Sequence, residues 1–508
     1  MRGSGGAQPD FRVTLYDDAA GEAFFQLRDV RYDKTLSEIG GHRDMGIMTP
    51  DLCILGGGAA GLRAASLAAE AGAAVVVVER GEPGAANRHA GGLAANVLMA
   101  AAARVAAVNG AAAFGVRAGR PKIDFMAVQD RIQEQAAALA VNDSPDRCRA
   151  LGIEMITGEA GFRDHRTVTV GDIEIRAKHF AIATGSAPSI PEIPGLEEAG
   201  YLTPETVFDL RVCPRHLVIL GAGVDALELG QTYRRLGAEV TVMALGGLLE
   251  DVDPDAAAIL LARLRAEGID IRTGGVTEIR RSRGRPQVAG PDGEVVEASH
   301  LLVMAGRNPN VAALNLAAAG VKADVRGILV DSRMRTSNKR VYAMGDVAGG
   351  ECSVHAARHQ AALVVRHALG GRPFRARQPA IPHVAFTDPQ IAQVGLTETQ
   401  ARAGRRAIRV LRWPFHENDR ARADGAETGF VKIVADARGV ILGATIIGGP
   451  AAELIATWTL AVEQRLGVAT MAELVLPYPT FGEAGPAALA GQARSDLTRS
   501  ALRRIIGR

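Results

Sequence analysis

Gly56, Gly58 and Gly61 stand in a G-x-G-x-x-G loop, with Glu79 and Arg80 a fixed distance behind it. These residue types suit the binding of a dinucleotide. The first glycine permits a tight turn, the second lets a diphosphate approach the backbone, and the third lets helix and strand pack closely. The N-terminus of the following helix offers unpaired N–H groups and a partial positive charge to phosphates. Glu79 can accept hydrogen bonds from a ribose diol. A second loop, Gly221-Ala222-Gly223-Val224-Asp225-Ala226, fits the variant G-x-G-x-x-A. The spacing from Gly56 to Glu79 recurs from Gly221 to Ala244, so the second unit ends in a methyl group where the first ends in an acid. No Arg or Lys follows Ala244 closely to hold a 2′-phosphate, and the choice between NAD and NADP is not legible there.

The elements that must position these residues are equally plain. Asp51 to Leu55 is an apolar run of strand length, Leu62 to Ala71 is an Ala/Leu-rich helix stopped by Gly72, and Ala74 to Val78 is a second buried strand. Leu217–Leu220, a helix running to Gly237, and Val240–Met243 repeat that β-α-β pattern. Between the two units, Ile123–Ala140 is expected to be an amphipathic helix. Ile153–Ile156, Thr167–Val170 and Ile173–Arg176 are expected to be short strands of one meander. His179 to Ser186 is expected to be a strand ending in a small turn. Pro188, Pro191 and Pro194 then suit a crossing between domains. Two dinucleotide units in one chain allow one to hold a flavin dinucleotide while the other admits a nicotinamide.

Bulk properties exclude several classes. A chain of 508 residues with 47% apolar content can build several cores. Lys plus Arg is 58 against 56 for Asp plus Glu, so neither a nucleic-acid partner nor a polybasic membrane surface is expected. Cys53, Cys148, Cys213 and Cys352 are scattered without metal-ligand spacing, which fits a reducing compartment and no metal. Cys53 falls inside the first strand and is expected in the core. The Ala-rich stretch Ala94–Val116 contains Asn96, Arg104 and Asn109, so it is expected to be a soluble helix and loop rather than a transmembrane segment. No apolar signal core opens the chain, and a cytoplasmic protein is expected. Met1–Gly46 is an extension without assigned function; its start suits a tag remnant or an upstream start, Met45 and Met48 being natural alternatives.

The ordered motifs resemble the pyridine nucleotide–disulfide oxidoreductase family, which includes glutathione reductase, dihydrolipoamide dehydrogenase and mercuric reductase. They are Gly56–Gly61 with Glu79, Ala183-Thr184-Gly185, Gly221–Glu228, Ala305-Gly306-Arg307-Asn308-Pro309-Asn310, Val341–Asp346, and Ile381-Pro382-His383-Val384-Ala385-Phe386-Thr387-Asp388-Pro389 through Glu398. Gly200–Thr206, Asn142–Arg147 and Tyr478-Pro479-Thr480 are most similar to the mercuric-reductase-like branch. The resemblance implies an α/β fold: two Rossmann-like domains for FAD and NAD(P), each a three-layer ββα sandwich, plus a C-terminal α/β dimerisation domain. The expected boundaries are 1–48 for a flexible extension, 49–195 and 323–378 for the FAD domain, 196–322 for the NAD(P) domain, 379–495 for the dimerisation domain and 496–508 for a tail. It further implies that Gly345 and Asp346 hold the flavin's ribityl chain and diphosphate. Thr184, Gly185, Arg80 and Asn96 would also lie in the FAD site. Gly221, Gly223, Val276 and Gly306 would line the nicotinamide path, with Glu228 near the nicotinamide ring. In the family each active site is completed by the partner subunit's C-terminal segment, so a homodimer is expected.

The chain departs from the family where chemistry is decided. The family's C-x4-C pair and its following lysine fall on Asn87, Gly92 and Asn96 in one register, or the pair falls on Ala94 and Met99 in another. No cysteine lies between Cys53 and Cys148 in either case. The catalytic His near the C-terminus is replaced by Tyr478, while Glu483, which would orient it, remains. There is no C-terminal Cys pair and no N-terminal Cys-x-x-Cys, so reduction of mercury, glutathione or lipoamide is not expected. The expected function is hydride transfer from NAD(P)H to FAD and on to a small acceptor: a quinone, dioxygen, an electron carrier or a second nicotinamide. Glu228, Tyr478 and Glu483 are the candidate catalytic residues. The alternative is an inactive or regulatory FAD-binding homologue. Cys352, His355 and His359 are expected to be ordinary residues of a helix and its approach.

Overall fold

The computed structural model describes residues 47–81, 84, 92–350, 352–370, 380–404 and 407–490. The expectations for Met1–Gly46, Asn87 and the tail 496–508 lie outside these residues. The longer helices, in chain order, are α1 (Ala59–Glu70), α2 (Gly92–Gly110), α3 (Phe125–Ala140), α4 (Val224–Arg235), α5 (Pro254–Ala266), α6 (Val354–Leu369) and α7 (Ala451–Glu463).

The first domain is built on a five-stranded parallel sheet with Leu52–Leu55 at its centre. Val75–Glu79 and Ile153–Thr157 lie on one side, His179–Ile182 and Val341–Ala343 on the other. Side chains alternate across a strand, and this sheet uses both faces. Leu52, Ile54, Val75 and Val77 pack under α1 and α6. Cys53, Leu55, Val76 and Val78 pack against Phe162, Val168 and Ile175 of an antiparallel meander. The result is a helix layer, a parallel sheet and a meander, the three-layer sandwich expected. Cys53 is fully buried in the core, as its place in the strand required.

One strand departs from expectation. Ile153–Thr157 belongs to the parallel sheet, beside Val75–Glu79, and not to the meander. A short apolar run looks alike in either setting; the preceding helix Pro145–Ala150 returns the chain in the parallel direction. The meander's first strand is Ala160–Asp164, whose Gly, Arg and Asp conceal it. Ile47–Met48 also joins this sheet, pairing with Glu174 and Ile175.

The second domain repeats the plan with a four-stranded parallel sheet, ordered 270–272, 239–243, 216–220 and 300–303, and its own meander, 278–297. Ser186–Pro188 pairs antiparallel with Arg307–Pro309, stitching the two domains at the expected crossing. The C-terminal domain is a five-stranded antiparallel sheet, 383–385, 391–395, 441–447, 430–436 and 408–414, with α7 across one face.

By length and composition alone the stretch Gly92–Phe114 is apolar enough to cross a membrane. Within the fold its first turns are tied into the domain: Leu98 and Ala102 are buried, in one core with Phe125 of α3 and Leu227 of α4.

Candidate active site

A cavity of about 1790 Å³ opens between the domains. That exceeds the roughly 300–1,000 Å³ of a single small-molecule site, so more than one ligand can be held. Gly56, Gly58, Glu79, Arg80, Asn96, Thr184, Gly185, Gly345, Asp346 and Glu228 all line it.

The first glycine loop shows which glycines are structural and which are left open. A Cβ on Gly61 would lie 1.9 Å from Gly56 O, and Gly56 itself has φ +110°. Both are therefore required by close backbone approach. A Cβ on Gly58 would meet nothing within 4 Å. The glycine here keeps open the space that a diphosphate needs. Behind it α1 begins with no side-chain cap and no acid in its first turn, so its N–H groups face the cavity without a protein anion. Glu79 closes the arrangement: Gly57 N–H donates to its Oε2 (2.6 Å) and Gly81 N–H to its Oε1 (2.9 Å). The open cradle, uncapped helix and terminal acid fit a dinucleotide such as FAD.

Asp346 is held across the domain junction. Ser186 Oγ donates to Asp346 Oδ2 (2.6 Å), and Arg307 donates through Nε to Ser186 Oγ (2.7 Å) and through Nη2 to Ser186 O (2.8 Å). Arg307 Nη2 also reaches Glu205 Oε1 at 3.3 Å. Gly345, at φ +73°, donates its N–H to Gln360 Oε1 on α6. Thr184 Oγ1 donates to Asn310 O, and Asn310 Nδ2 donates to Thr184 O. Ser186, Glu205, Arg307 and Asn310 were not singled out as site residues. Arg307, Asn310 and Glu205 stand in motifs of the resemblance, but Ser186 carries no local signal beyond closing its strand.

The second loop is built alike but differs in charge. Gly221 (φ +123°) would place a Cβ 2.0 Å from Met304 O, while Gly223 faces open space. Gly223 and Gly306 line a smaller pocket of about 210 Å³, beside Asp225 and Arg307. Asp225 sits in the first turn of α4 and lines both cavities. Asp225 is an exposed position of α4, yet the surrounding cavity walls withdraw its carboxyl from water enough to hold it above the usual range, and Arg307 opposes that shift. Glu228, one turn on, is only 9% exposed, and its Oε1 accepts the N–H of Phe386 (2.6 Å) from the C-terminal domain. Burial, then the charge of Asp225, pushes its pKa up to about 8. Ala244 is buried, closing the strand end where an acid would project. Val276 lines neither cavity and packs on the meander core of its domain.

Tyr478 and Glu483 stand apart from the cavity within the chain. Tyr478 is 73% exposed and donates its O–H to Asp419 Oδ2 (3.0 Å), which holds its phenol above the usual value. Glu483 accepts the N–H of Thr480 in a capping box. Cys352 and His355 do line the cavity, and His359 is an exposed position of α6. His355 Nε2 lies 2.8 Å from Pro382 O. Of the two registers considered for the cysteine pair, the second falls wholly on described residues: Ala94 is buried and Met99 lines the cavity beside Ala95 and Asn96.

Two stacked dinucleotide-binding sandwiches sharing one cavity, followed by an antiparallel α/β domain, define a two-dinucleotide flavoprotein oxidoreductase architecture. The chain belongs to the pyridine nucleotide-disulphide oxidoreductase family: that family's profile matches residues 50–361, and its dimerisation-domain profile matches 381–489. Its members use FAD with NAD(P)H as reductant. The chain is 33% identical over 440 residues to mercuric reductase of Lysinibacillus sphaericus, covering 85% of this chain and 81% of that one. It is 33% identical over 458 residues to dihydrolipoyl dehydrogenase of Thermus scotoductus, covering 86% and 95%. Among solved structures it resembles LpdA from Mycobacterium tuberculosis (TM-score 0.79, 28% identity, 88% of this chain and 100% of that one). It also resembles the HOCl-induced flavoprotein disulfide reductase RclA from Escherichia coli (TM-score 0.78, 25% identity, 87% and 99%).

Proposed function

We propose that this protein is an FAD-dependent NAD(P)H oxidoreductase that passes electrons to a small acceptor without a redox disulfide. The observation that carries the reading is the cavity wall formed by α2. It presents Ala95, Asn96 and Met99, and no cysteine occurs between Cys53 and Cys148. Cys352 lines the cavity, but no other cysteine does among the described residues, and none of the four is in a disulfide. The acceptors named for the relatives, mercury and the lipoyl group, call for thiolates that this wall lacks. A quinone, dioxygen, an electron carrier or a second nicotinamide would serve instead.

When bound, FAD takes a hydride equivalent from NAD(P)H and passes two electrons onward. Gly58 and the bare N-terminus of α1 would face its diphosphate, Glu79 and Arg80 the adenosine ribose, and Asp346 the ribityl chain. Thr184, Gly185 and Asn96 complete that wall. Gly223 and Gly306 would accommodate the nicotinamide dinucleotide, Gly221 would hold the turn against Met304, and Glu228 would lie at the junction of the two sites. In a cytoplasmic homodimer formed through residues 381–489, Tyr478 and Glu483 would face the partner subunit's cavity. Glu79→Ala is expected to weaken FAD retention about 10- to 100-fold, the loss of one charge-assisted hydrogen bond of about 1.5–3 kcal/mol. Flavin fluorescence released on dilution measures this; unchanged retention would remove Glu79 from the site.

A second reading, an FAD-binding homologue that acts as an interaction partner, is favoured by Ala244, a buried methyl where the first unit has Glu79. An anaerobic titration of the flavin absorbance with NADH, then NADPH, separates the two. Bleaching by either is expected and names the reductant. A flavin that stays oxidised with both would overturn the oxidoreductase reading in favour of the second.

A further inference from the structure

We propose that Asp225 and Glu228 form a proton-donating pair in the cavity, Glu228 delivering its proton to an acceptor of the quinone class as that acceptor is reduced. The inference rests on the oxidoreductase reading above and selects among its acceptors.

The two residues stand three apart on α4, so they share one helix face, and both line the large cavity. Two carboxyls on one helix face, one of them buried, do not both ionise readily. The surroundings decide which one keeps the proton. Asp225 lies in the first turn, where the positive helix end favours a carboxylate, and it feels the charge of Arg307. Glu228 lies deeper, and what favours its ionised form is the Phe386 N–H rather than a cation. The other charged or titratable groups of the cavity are Glu205, Asp251, Arg307, Asp346, Cys352, His355 and His383, and, at the end of the first domain's second strand, Glu79, Arg80 and Glu159. Glu205 is paired with Arg307. From α2 the wall receives Ala95, Asn96 and Met99, none of which titrates. Glu228 is therefore carried as a neutral acid near pH 7, and it gives up its proton as pH rises through about 8.

A neutral acid beside the reacting groups has a use only if the acceptor consumes a proton. The balanced reaction NAD(P)H + H⁺ + quinone → NAD(P)⁺ + quinol requires one proton beyond the hydride. Transfer breaks the O–H bond of Glu228 and forms one on a quinone oxygen; the carboxylate left behind recovers a proton from solvent through the open cavity. Transfer to a second nicotinamide needs no such proton, and neither does a one-electron carrier; dioxygen consumes one to become hydrogen peroxide, but it needs no apolar surface to hold it. Leu229 and Phe386 adjoin Glu228, and Met99 lines the same cavity. Apolar side chains set beside a proton donor suit a flat carbonyl-bearing molecule.

The test uses FAD-loaded full-length protein in two arms. Infrared difference spectra should show a protonated carboxyl that titrates near pH 8, disappears in Glu228→Gln and titrates at lower pH in Asp225→Asn. In stopped flow, protein reduced with dithionite is mixed with benzoquinone or with ferricyanide. The quinone rate should fall as pH rises through about 8. The quinone-to-ferricyanide rate ratio should drop about 100-fold in Glu228→Gln, within the usual range for loss of a general acid. Asp225→Asn should move the fall in the quinone rate to lower pH. No titrating carboxyl, or an unchanged ratio in Glu228→Gln, would overturn the proposal. Because dithionite replaces NAD(P)H, inertness toward NAD(P)H would count against the oxidoreductase reading alone.

Discussion

Gly61→Ala is expected to yield a protein that retains almost no FAD, and Gly58→Ala to lose FAD for a different reason. At Gly61 the added methyl would sit 1.9 Å from Gly56 O and 3.0 Å from its carbonyl carbon. These are backbone atoms, and Gly56 is itself packed closely on Ala183, where a Cβ added to Gly56 would lie 2.3 Å from the carbonyl oxygen. Helix α1 must therefore move off the central strand, opening the packing of Ala64, Ala65 and Ala68 against Leu52 and Ile54. Overpacking of this kind costs about 1–3 kcal/mol, and the uncapped helix end is carried away from the phosphates. At Gly58 the methyl meets no protein atom within 4 Å, and the backbone is extended, which alanine adopts freely. Gly58→Ala should fold and melt as the parent does, yet its Cβ enters the space assigned to the diphosphate. Flavin absorbance per protein after desalting, beside circular dichroism melting, measures both. A Gly58→Ala protein with full flavin content would place the diphosphate elsewhere.

Lys432→Met is expected to be the most damaging single change in the C-terminal domain. Lys432 is 4% exposed on a central strand, and its Nζ reaches Asp253 Oδ1 (2.9 Å), Asp253 Oδ2 (3.0 Å) and Asp255 Oδ2 (2.6 Å). Asp253 is fully buried and caps α5 of the second domain. Removing the cation leaves a buried carboxylate unpaired, which costs about 3–5 kcal/mol. The chain's two tryptophans, Trp413 and Trp458, both lie in this domain, so their fluorescence follows its unfolding selectively. The sign with pH is also fixed. Lys432 holds the Asp255 carboxyl below its usual value, so the parent has that stabilisation above the ordinary carboxylate range and loses it as pH falls further. The gap between parent and variant should therefore narrow on acidification. The double variant Lys432→Met/Asp253→Asn should recover part of the loss. A gap independent of pH would show that lost packing, rather than charge, sets the effect.

The same contact zone bears on the site. Phe386 N–H meets Glu228, Asp388 N–H meets Gln231 Oε1, and Arg235 pairs with Asp388 Oδ2. Three successive turns of α4, the helix behind the second glycine loop, thus lean on the C-terminal domain.

By itself the sequence determined the two dinucleotide units, the acid at Glu79, the aspartate at Asp346, the layered fold and the absence of cysteine where the family places its pair. Each is legible because a local steric or chemical demand admits few residue types. Only glycine fits where an added Cβ would lie 1.9 Å from a carbonyl oxygen, and a strand between two layers must be apolar on both faces. Tertiary structure alone decided the rest. It placed Ile153–Thr157 in the parallel sheet, left Tyr478 and Glu483 outside the chain's own cavity, and set Met99 in the wall. It joined Asp346, Ser186, Arg307 and Glu205 across the domain junction, and buried Glu228 beside Asp225, which raises its pKa. These depend on contacts between residues far apart in the chain, and on how deeply each is withdrawn from water. A side chain's ionisation follows its surroundings, which its position in the sequence does not reveal.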